Sequence, residues 1–538
     1  MKIKHLVSPL VLSSFILSLS VVSPVYAQDE VVISNSAVTN EQEEQAPVVT
    51  TNIGTYEGLN LNDVEVFKGI PFAKEPSGSL RFAPPQAVEP FAGTYKATKF
   101  CPIPTQVSTL RDDKNDVQGT NTLCINIYRP KNVKADAKLP VYFWIFGGAY
   151  VAGTSNHPWY DGTEFAKDGV ILVSTNYRVN AQGFLSSKAQ FSKYGTTGNN
   201  GLLDMIESLK FVKNNIAAFG GDPDNITIGG ESAGSFSVSA LVLSPLTKGL
   251  FKNAIMESGT ILSFPFISLD ATHNRALAYD LSERFLNKFG LSDSSEAIET
   301  LETIDPVLLA HQSNYDYDFV TGRFSFLIPN CDGYVIPFDP VKELKEQNFN
   351  KVNILMGYNT DEGTYFANPK ITNEEYQMAL DNNFGDKSDA IKAIYESFDA
   401  PFKKTYELLG DVMFNIGVKV FADNLAETND VYMYHFDYAS DKESPYGVTH
   451  ASEIQYAFKT LDSKAKEQDT KVADTTHKLW VNFIKTGNPN YDGEHFIDKA
   501  WLKYKKGSAL VYRIGEECSV EPFSIKERLE KMGKLLVQ

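Results

Sequence analysis

Residues 225–244 read NITIGGESAGSFSVSALVLS, a short β-forming run that passes into a helix-forming run with only small residues at the join. The join leaves no room for a loop. A strand must therefore turn sharply into a helix, with Ser232 at the corner between Gly230 and Gly234. Gly230-Glu231-Ser232-Ala233-Gly234 fits the pattern G-x-S-x-G, in which a strained strand-to-helix turn lifts a serine hydroxyl above the end of a sheet. Alone, five residues of this kind are also compatible with an ordinary glycine-serine turn. The flanking strand and helix are what the nucleophile reading requires.

The rest of the chain supplies the sheet. VYFWIF (141–146), VILVSTNY (170–177), NITIGG (225–230), NAIMES (253–258) and VNILMGY (352–358) are short apolar runs rich in β-formers. Runs hydrophobic on both sides suit parallel strands covered by helices. DVYMYHFDY and ALVYRI read as further strands. Between two strands, Met205, Ile206, Leu209, Val212 and Ile216 share one helical face, and Gly220, Gly221 and Pro223 are expected to end that helix. DTTHKLWVNFIKTGNPN reads as a helix closed by Gly487 and Pro489. The expected architecture is α/β, a large and mostly parallel central sheet with helices on both faces.

The 538 residues carry a formal charge of −17, which argues against nucleic acid or anionic membrane as a partner. Lys2 and Lys4, the apolar stretch Leu6–Val22 and the small residues up to Ala27 predict a cleaved export signal over 1–27. Pro9 and several serines dilute that stretch and weigh against a membrane anchor. Residues 28–47 are polar and acidic and predict a flexible lead-in, with the folded domain over 48–538. A secreted or periplasmic location follows as the expectation. Export permits disulfides among Cys101, Cys124, Cys331 and Cys518, whose spacings do not suit zinc. The glycosylation triplet at Asn225 lies in a predicted buried strand and is expected to be unmodified.

A serine hydroxyl needs a base, normally a histidine oriented by a carboxylate, and in this type of fold the chain order is serine, acid, histidine. His273, His311, His435, His450, His477 and His495 all follow Ser232. His435 falls in a predicted strand and His477 in an amphipathic helix, whereas His450 stands in a polar loop just before a helix start. The acid is Asp361 or Glu362, directly after VNILMGY, and spacing does not choose between them. Oxyanion donors are expected from the Ala233 amide and from the glycine-rich loop in WIFGGAYVAG (144–153).

These segments resemble the type-B carboxylesterase and cholinesterase family of α/β-hydrolases. The likeness runs from about 48 to 525 and includes FKGIPFAKEPSGSLRFAPP, NYRVNAQGFL, GNNGLLD, FGGDPDNITIGGESAGS, IMESGT, GYNTDEGTYF, GVTHASEIQYAF and FIKTGNPN. The resemblance implies a triad of Ser232, Glu362 and His450. It also implies oxyanion donors at Gly148, Ala149 and Ala233, and supporting roles for Glu231, Ser258 and Glu453. It pairs Cys101 with Cys124, although Cys124 is displaced by two positions from where relatives carry it. Phe146 stands where relatives often have His or Tyr, and Ala149 replaces a third glycine. Met205 replaces a glutamine. Thr120 replaces an acid that would pair with Arg81, so that ion pair is expected to be lost. No tryptophan lies within 102–123, so choline esters are not expected. The implied activity is hydrolysis of small carboxylic esters, short- to medium-chain or aromatic, with no metal or organic cofactor. The oligomeric state is left open. The alternatives are a lipase, an aromatic polyester hydrolase or an acyltransferase, and a non-catalytic binding protein of the same family.

Overall fold

The computed structural model describes residues 45–107, 117–263, 271–314, 316–493, 495 and 500–536. The predicted signal and nearly all of the predicted lead-in lie outside them. Eleven strands form the main sheet among these residues. In chain order they are β1 Leu59–Leu61, β2 Val64–Pro71, β3 Cys124–Pro130, β4 Leu139–Ile145, β5 Ile171–Thr175, β6 Gly221–Glu231, β7 Asn253–Glu257, β8 Asn353–Asn359, β9 Val431–Phe436, β10 Leu510–Ile514 and β11 Ser519–Pro522.

Across the sheet the order is β11-β10-β9-β8-β7-β6-β4-β5-β3-β2-β1. From β5 through β10 every neighbour is parallel; β11 at one edge and β3, β2 and β1 at the other are antiparallel. The sheet is therefore mixed, with its parallel part in the middle. That is where the apolar runs lie: Val141–Ile145, all of β5 and all of β7 are buried. Each fully buried aliphatic side chain there contributes about 1.5–3 kcal/mol.

The helices that bear on the site are α1 Asn200–Asn215, α2 Ala233–Leu243, α3 Pro401–Gly410, α4 Ile416–Leu425, α5 Ile454–Phe458, α6 Glu467–Thr486 and α7 Lys526–Leu536. Every residue of α2 is buried, and the hydroxyls of Ser235, Ser237 and Ser239 donate to the carbonyls of Gly259, Ala233 and Phe236. The helix ending at Gly220 differs in detail from the sequence expectation. A 3-10 turn, Ile216–Phe219, follows α1, and Gly220 closes it at φ 88°. Gly221 and Pro223 belong to β6, whose register against β4 shifts between Gly221 and Ile226. The bulge absorbs the proline, which has no amide to give to a central ladder. Helix α6 starts earlier than its motif, at Glu467, and ends at Gly487 in the left-handed conformation.

Residues 46–538 form one compact unit. No helix among the described residues is long and apolar enough to cross a membrane. A disulfide joins Cys101 and Cys124 with Cα atoms 6.6 Å apart, and neither Cys331 nor Cys518 takes part in it. Asn225 sits in β6 with its Nδ2 donating to the Lys485 carbonyl.

Candidate active site

Ser232 follows the last residue of β6 and caps α2, with φ 56° and ψ −124°. A β-carbon at φ > 0 is strained, and such residues persist only where the surroundings hold them. The Ser232 amide donates to the Glu257 carbonyl at 3.0 Å, tying the corner to the end of β7, and its own carbonyl accepts from Phe236 at 2.8 Å. The two glycines of the motif are required by close approach. A Cβ on Gly230 would stand 2.6 Å from the Ile145 oxygen, and one on Gly234 would overlap that same oxygen. Five non-glycine residues with positive φ cluster at this end of the sheet: Ala149, Tyr150, Ser232, Ser258 and Ala451.

Glu362 opens a 3-10 turn, Glu362–Tyr365, just past the end of β8. Its Oε1 accepts the Asn359 amide at 2.8 Å, and its Oε2 lies 2.6 Å from His450 Nδ1. His450 comes from the turn after β9, and its ring is almost wholly buried. With Nδ1 given to the carboxylate, Nε2 is the nitrogen left for chemistry, and it has no hydrogen-bond partner. Glu231 Oε1 stands 3.0 Å from Nε2 and is likewise without a hydrogen bond. A Cβ on Gly147 would lie 2.8 Å from Glu231 Oε2 and 3.0 Å from Ser232 Cβ, so serine, glutamate and the glycine-rich loop after β4 meet at this point. Asp361 faces elsewhere: its carboxylate accepts the Val448 amide at 2.9 Å.

Behind the imidazole lies a network of acids. Ser258 Oγ donates to Glu453 Oε1 at 3.2 Å, and Asn359 Nδ2 to Glu453 Oε2 at 2.6 Å. Trp480 Nε1 donates to Glu257 Oε1 at 2.8 Å. Glu231, Glu257, Glu362 and Glu453 are all buried, and four buried carboxyls cannot all be charged. Burial pushes Glu231 up to about 8 and Glu453 to about 7, in the second case helped by Glu362. Burial, with Glu453 nearby, raises Glu257 well above the usual carboxyl range. Burial alone would lower the imidazole pKa of His450. The carboxylates of Glu231, Glu362 and Glu453 outweigh it, lifting the group to about 9. The upward shifts of Glu231 and His450 oppose each other, since a protonated Glu231 exerts no pull on an imidazolium. The Glu362 hydrogen bond favours the charged ring whichever form Glu231 takes.

The loop after β4 folds back tightly. Val151 and Ala152 donate to the Gly148 carbonyl at 3.0 and 3.1 Å, and Gly148 has φ 116°. Gln106 braces the loop by exchanging two hydrogen bonds with Gly153, at 2.8 and 3.0 Å. Among the described residues, the amides of Gly148, Ala149 and Ala233 donate to no protein acceptor outside the helices and strands. The loop and the first turn of α2 thus offer free N–H groups beside Ser232.

A family model described as the carboxylesterase family matches residues 45–532. The chain belongs to the carboxylesterase family. It is 30% identical to para-nitrobenzyl esterase of Bacillus subtilis (strain 168) over 507 residues, covering 90% of this chain and 98% of that one. It is 33% identical to liver carboxylesterase B-1 of Rattus norvegicus over 499 residues, covering 83% of this chain and 87% of that protein. The solved carboxylesterase of Geobacillus stearothermophilus superposes with a TM-score of 0.78 at 32% identity, covering 90% of this chain and 99% of that one. The α/β-hydrolase architecture and carboxylic ester hydrolase activity follow from this membership.

Several departures from the family pattern find their physical setting. Phe146 is buried and stacks on Tyr177 with ring centres 4.2 Å apart. Arg81 pairs with no acid among the described residues; its Nη1 donates to the carbonyls of Leu301 and Ile304, at 3.2 and 2.6 Å, and Thr120 bonds Glu75 instead. His435 lies in β9 and reaches Glu521 at 2.9 Å, while His477 is buried in α6 against the Ala457 carbonyl. Sequence reasoning assigned no role to Asn359, Glu257, Trp480, Phe366 or Phe414. The available signal was a polar residue at the C-terminal end of a strand whose interior is apolar, as Glu257 closes β7 and Asn359 closes β8.

Proposed function

We propose that this chain hydrolyses short- to medium-chain or aromatic carboxylic esters through Ser232, His450 and Glu362. The observation that carries the reading is the clamped imidazole: Nδ1 is held by Glu362 at 2.6 Å, and Nε2 lies 3.0 Å from the carboxyl of Glu231, the residue just before the strained Ser232. His450 takes the Ser232 proton at Nε2 as Oγ attacks the ester carbonyl. Glu362 holds the imidazolium that forms. The amides of Gly148, Ala149 and Ala233 receive the oxyanion, each such donor contributing about 10²–10³ in kcat. His450 returns the proton to the departing alcohol, and water activated by the same ring then releases the acid from Ser232. No step calls on a metal or organic cofactor. The half-buried ring of Phe366, 5.4 Å from the imidazole, supports a site hospitable to aromatic esters. The disulfide and the N-terminal sequence pattern support secreted or periplasmic action.

The test is hydrolysis of p-nitrophenyl esters from acetate to palmitate, with Ser232→Ala beside the unaltered enzyme. Turnover that peaks at short chains and falls by about 10⁶ in kcat in the variant is expected. Turnover retained by a folded Ser232→Ala protein would overturn the triad. A peak at palmitate would make the enzyme a lipase.

A further inference from the structure

Between α3 and α4 the backbone runs through a five-residue π-helical turn, Asp411–Asn415. Such turns arise where one residue too many is held in a helix, and they gather at functional sites. This one carries Phe414, whose ring stacks on the His450 imidazole with centres 4.3 Å apart and planes inclined by 28°.

The turn is braced from a distant part of the chain. Asp411 is fully buried and accepts from Arg528 on α7, from the Tyr395 hydroxyl at 2.7 Å and from Asn415 Nδ2 at 3.0 Å. Arg528 also pairs with Glu407 at 2.7 Å, so the acids at this turn are answered by a guanidinium. The Phe414 ring is boxed in by Phe366 and Phe236, at 5.6 and 6.2 Å, and by Gly259, where a Cβ would stand 3.1 Å from it. Only 1% of Phe414 is exposed, so it offers a substrate almost no surface. Its contact with the imidazole needs another explanation.

We propose that Phe414 is a positioning residue for the base: its ring fixes the plane of the His450 imidazole and its π face stabilises the imidazolium formed during catalysis. The proposal rests on the triad reading above. A cation over an aromatic face within about 6 Å is attracted by the ring quadrupole, more strongly where water is excluded. The titratable groups facing His450 are Glu231 from the end of β6, Glu362 from the turn after β8 and Glu453 from its own segment. Phe414 stacks on the imidazole, with Phe366 also against it at 5.4 Å, and supports the positive ring without adding another acid to a crowded cluster.

The experiment places phenylalanine analogues with one, three and five ring fluorines at position 414 of the full chain. Fluorination withdraws electron density from the face while nearly preserving ring shape. The acid limb of the pH profile of kcat/KM is expected to move stepwise to lower pH, by about half a unit to one unit overall. Here kcat should fall more than KM changes, and Phe414→Tyr should restore the original profile. Phe414→Leu gives the ring-free limit if it folds; the fluorinated series does not depend on it. A limb that stays fixed across the series, or a change confined to KM, would overturn the proposal. Failure of the triad itself would show differently, as turnover that survives Ser232→Ala or His450→Ala.

Discussion

Asn359 Nδ2 donates to Glu453 at 2.6 Å while the Asn359 amide donates to Glu362 at 2.8 Å. One residue at the end of β8 therefore holds the acid beside the imidazole and a second acid behind it. Asn359→Ala keeps the main-chain bond and removes the other. Glu453 is then left buried with Ser258 as its remaining side-chain partner. A loss of about 1–3 kcal/mol in stability is expected, read by chemical denaturation, with a fall in kcat as the cluster loosens.

Glu362 and Asp361 are neighbours in sequence with different partners, His450 for one and the Val448 amide for the other. Glu362→Gln can present an N–H to Nδ1 and favour the wrong tautomer. A loss of about 10⁴ in kcat is expected by analogy with the same change in other triads. Asp361→Asn keeps an oxygen for Val448 and should be far milder. Steady-state kinetics on both variants decide; the reverse order would move the acid to Asp361.

In the proposed triad His450 must be neutral to take the serine proton, and its imidazole is pushed up to about 9 from the ordinary histidine value. A raised pKa keeps the ring protonated over more of the acidic range, so kcat/KM should rise with pH through a limb well above 6.5. Glu231→Gln removes a charge that favours the imidazolium, so the limb should move to lower pH. An unmoved limb would mean that the Glu231 carboxyl, itself lifted to about 8, is already neutral where the limb is measured.

The elbow and the strands around it were legible because both sides of each strand are buried, which leaves an unbroken apolar run. Glu362 and Asp361 were not separable by spacing, since both follow the strand and only side-chain direction tells them apart. The buried Arg178–Asp204 pair, 2.7 Å apart, lies within two segments quoted for the family likeness, yet periodicity gives no hint that they meet. The π turn at Asp411–Asn415 was invisible for a related reason. One of its braces is an arginine more than a hundred residues further along the chain, at Arg528.

The disulfide closes a segment of 23 residues and brings Cys101 to the start of β3. Asn176 Nδ2 lies 3.4 and 3.9 Å from its two sulfurs, at the end of β5. Replacing both cysteines by alanine should lower stability by roughly 3 kcal/mol on the chain-entropy account. Peptide mapping without reductant should recover the 101–124 link; free thiols at both positions would refute it.

Two glycine-to-alanine changes should act in opposite directions. At Gly234 the new Cβ would overlap the backbone oxygen of Ile145, which cannot rotate away as a side chain can. Ile145 leads directly into the loop that bears Gly148 and Ala149, so relief of the clash displaces the serine corner from those amides. Gly234→Ala is expected to lose about 1–3 kcal/mol of stability and most of its turnover. Gly533 lies inside α7 with nothing within 4 Å of an added Cβ and without positive φ. Gly533→Ala should gain roughly 0.5–1 kcal/mol, because alanine is the better helix former, and leave kinetics unchanged. Thermal melts and p-nitrophenyl ester turnover on the pair separate a steric requirement at the elbow from a general sensitivity to alanine. Equal behaviour of the two would remove the close-approach argument for the second glycine of the motif.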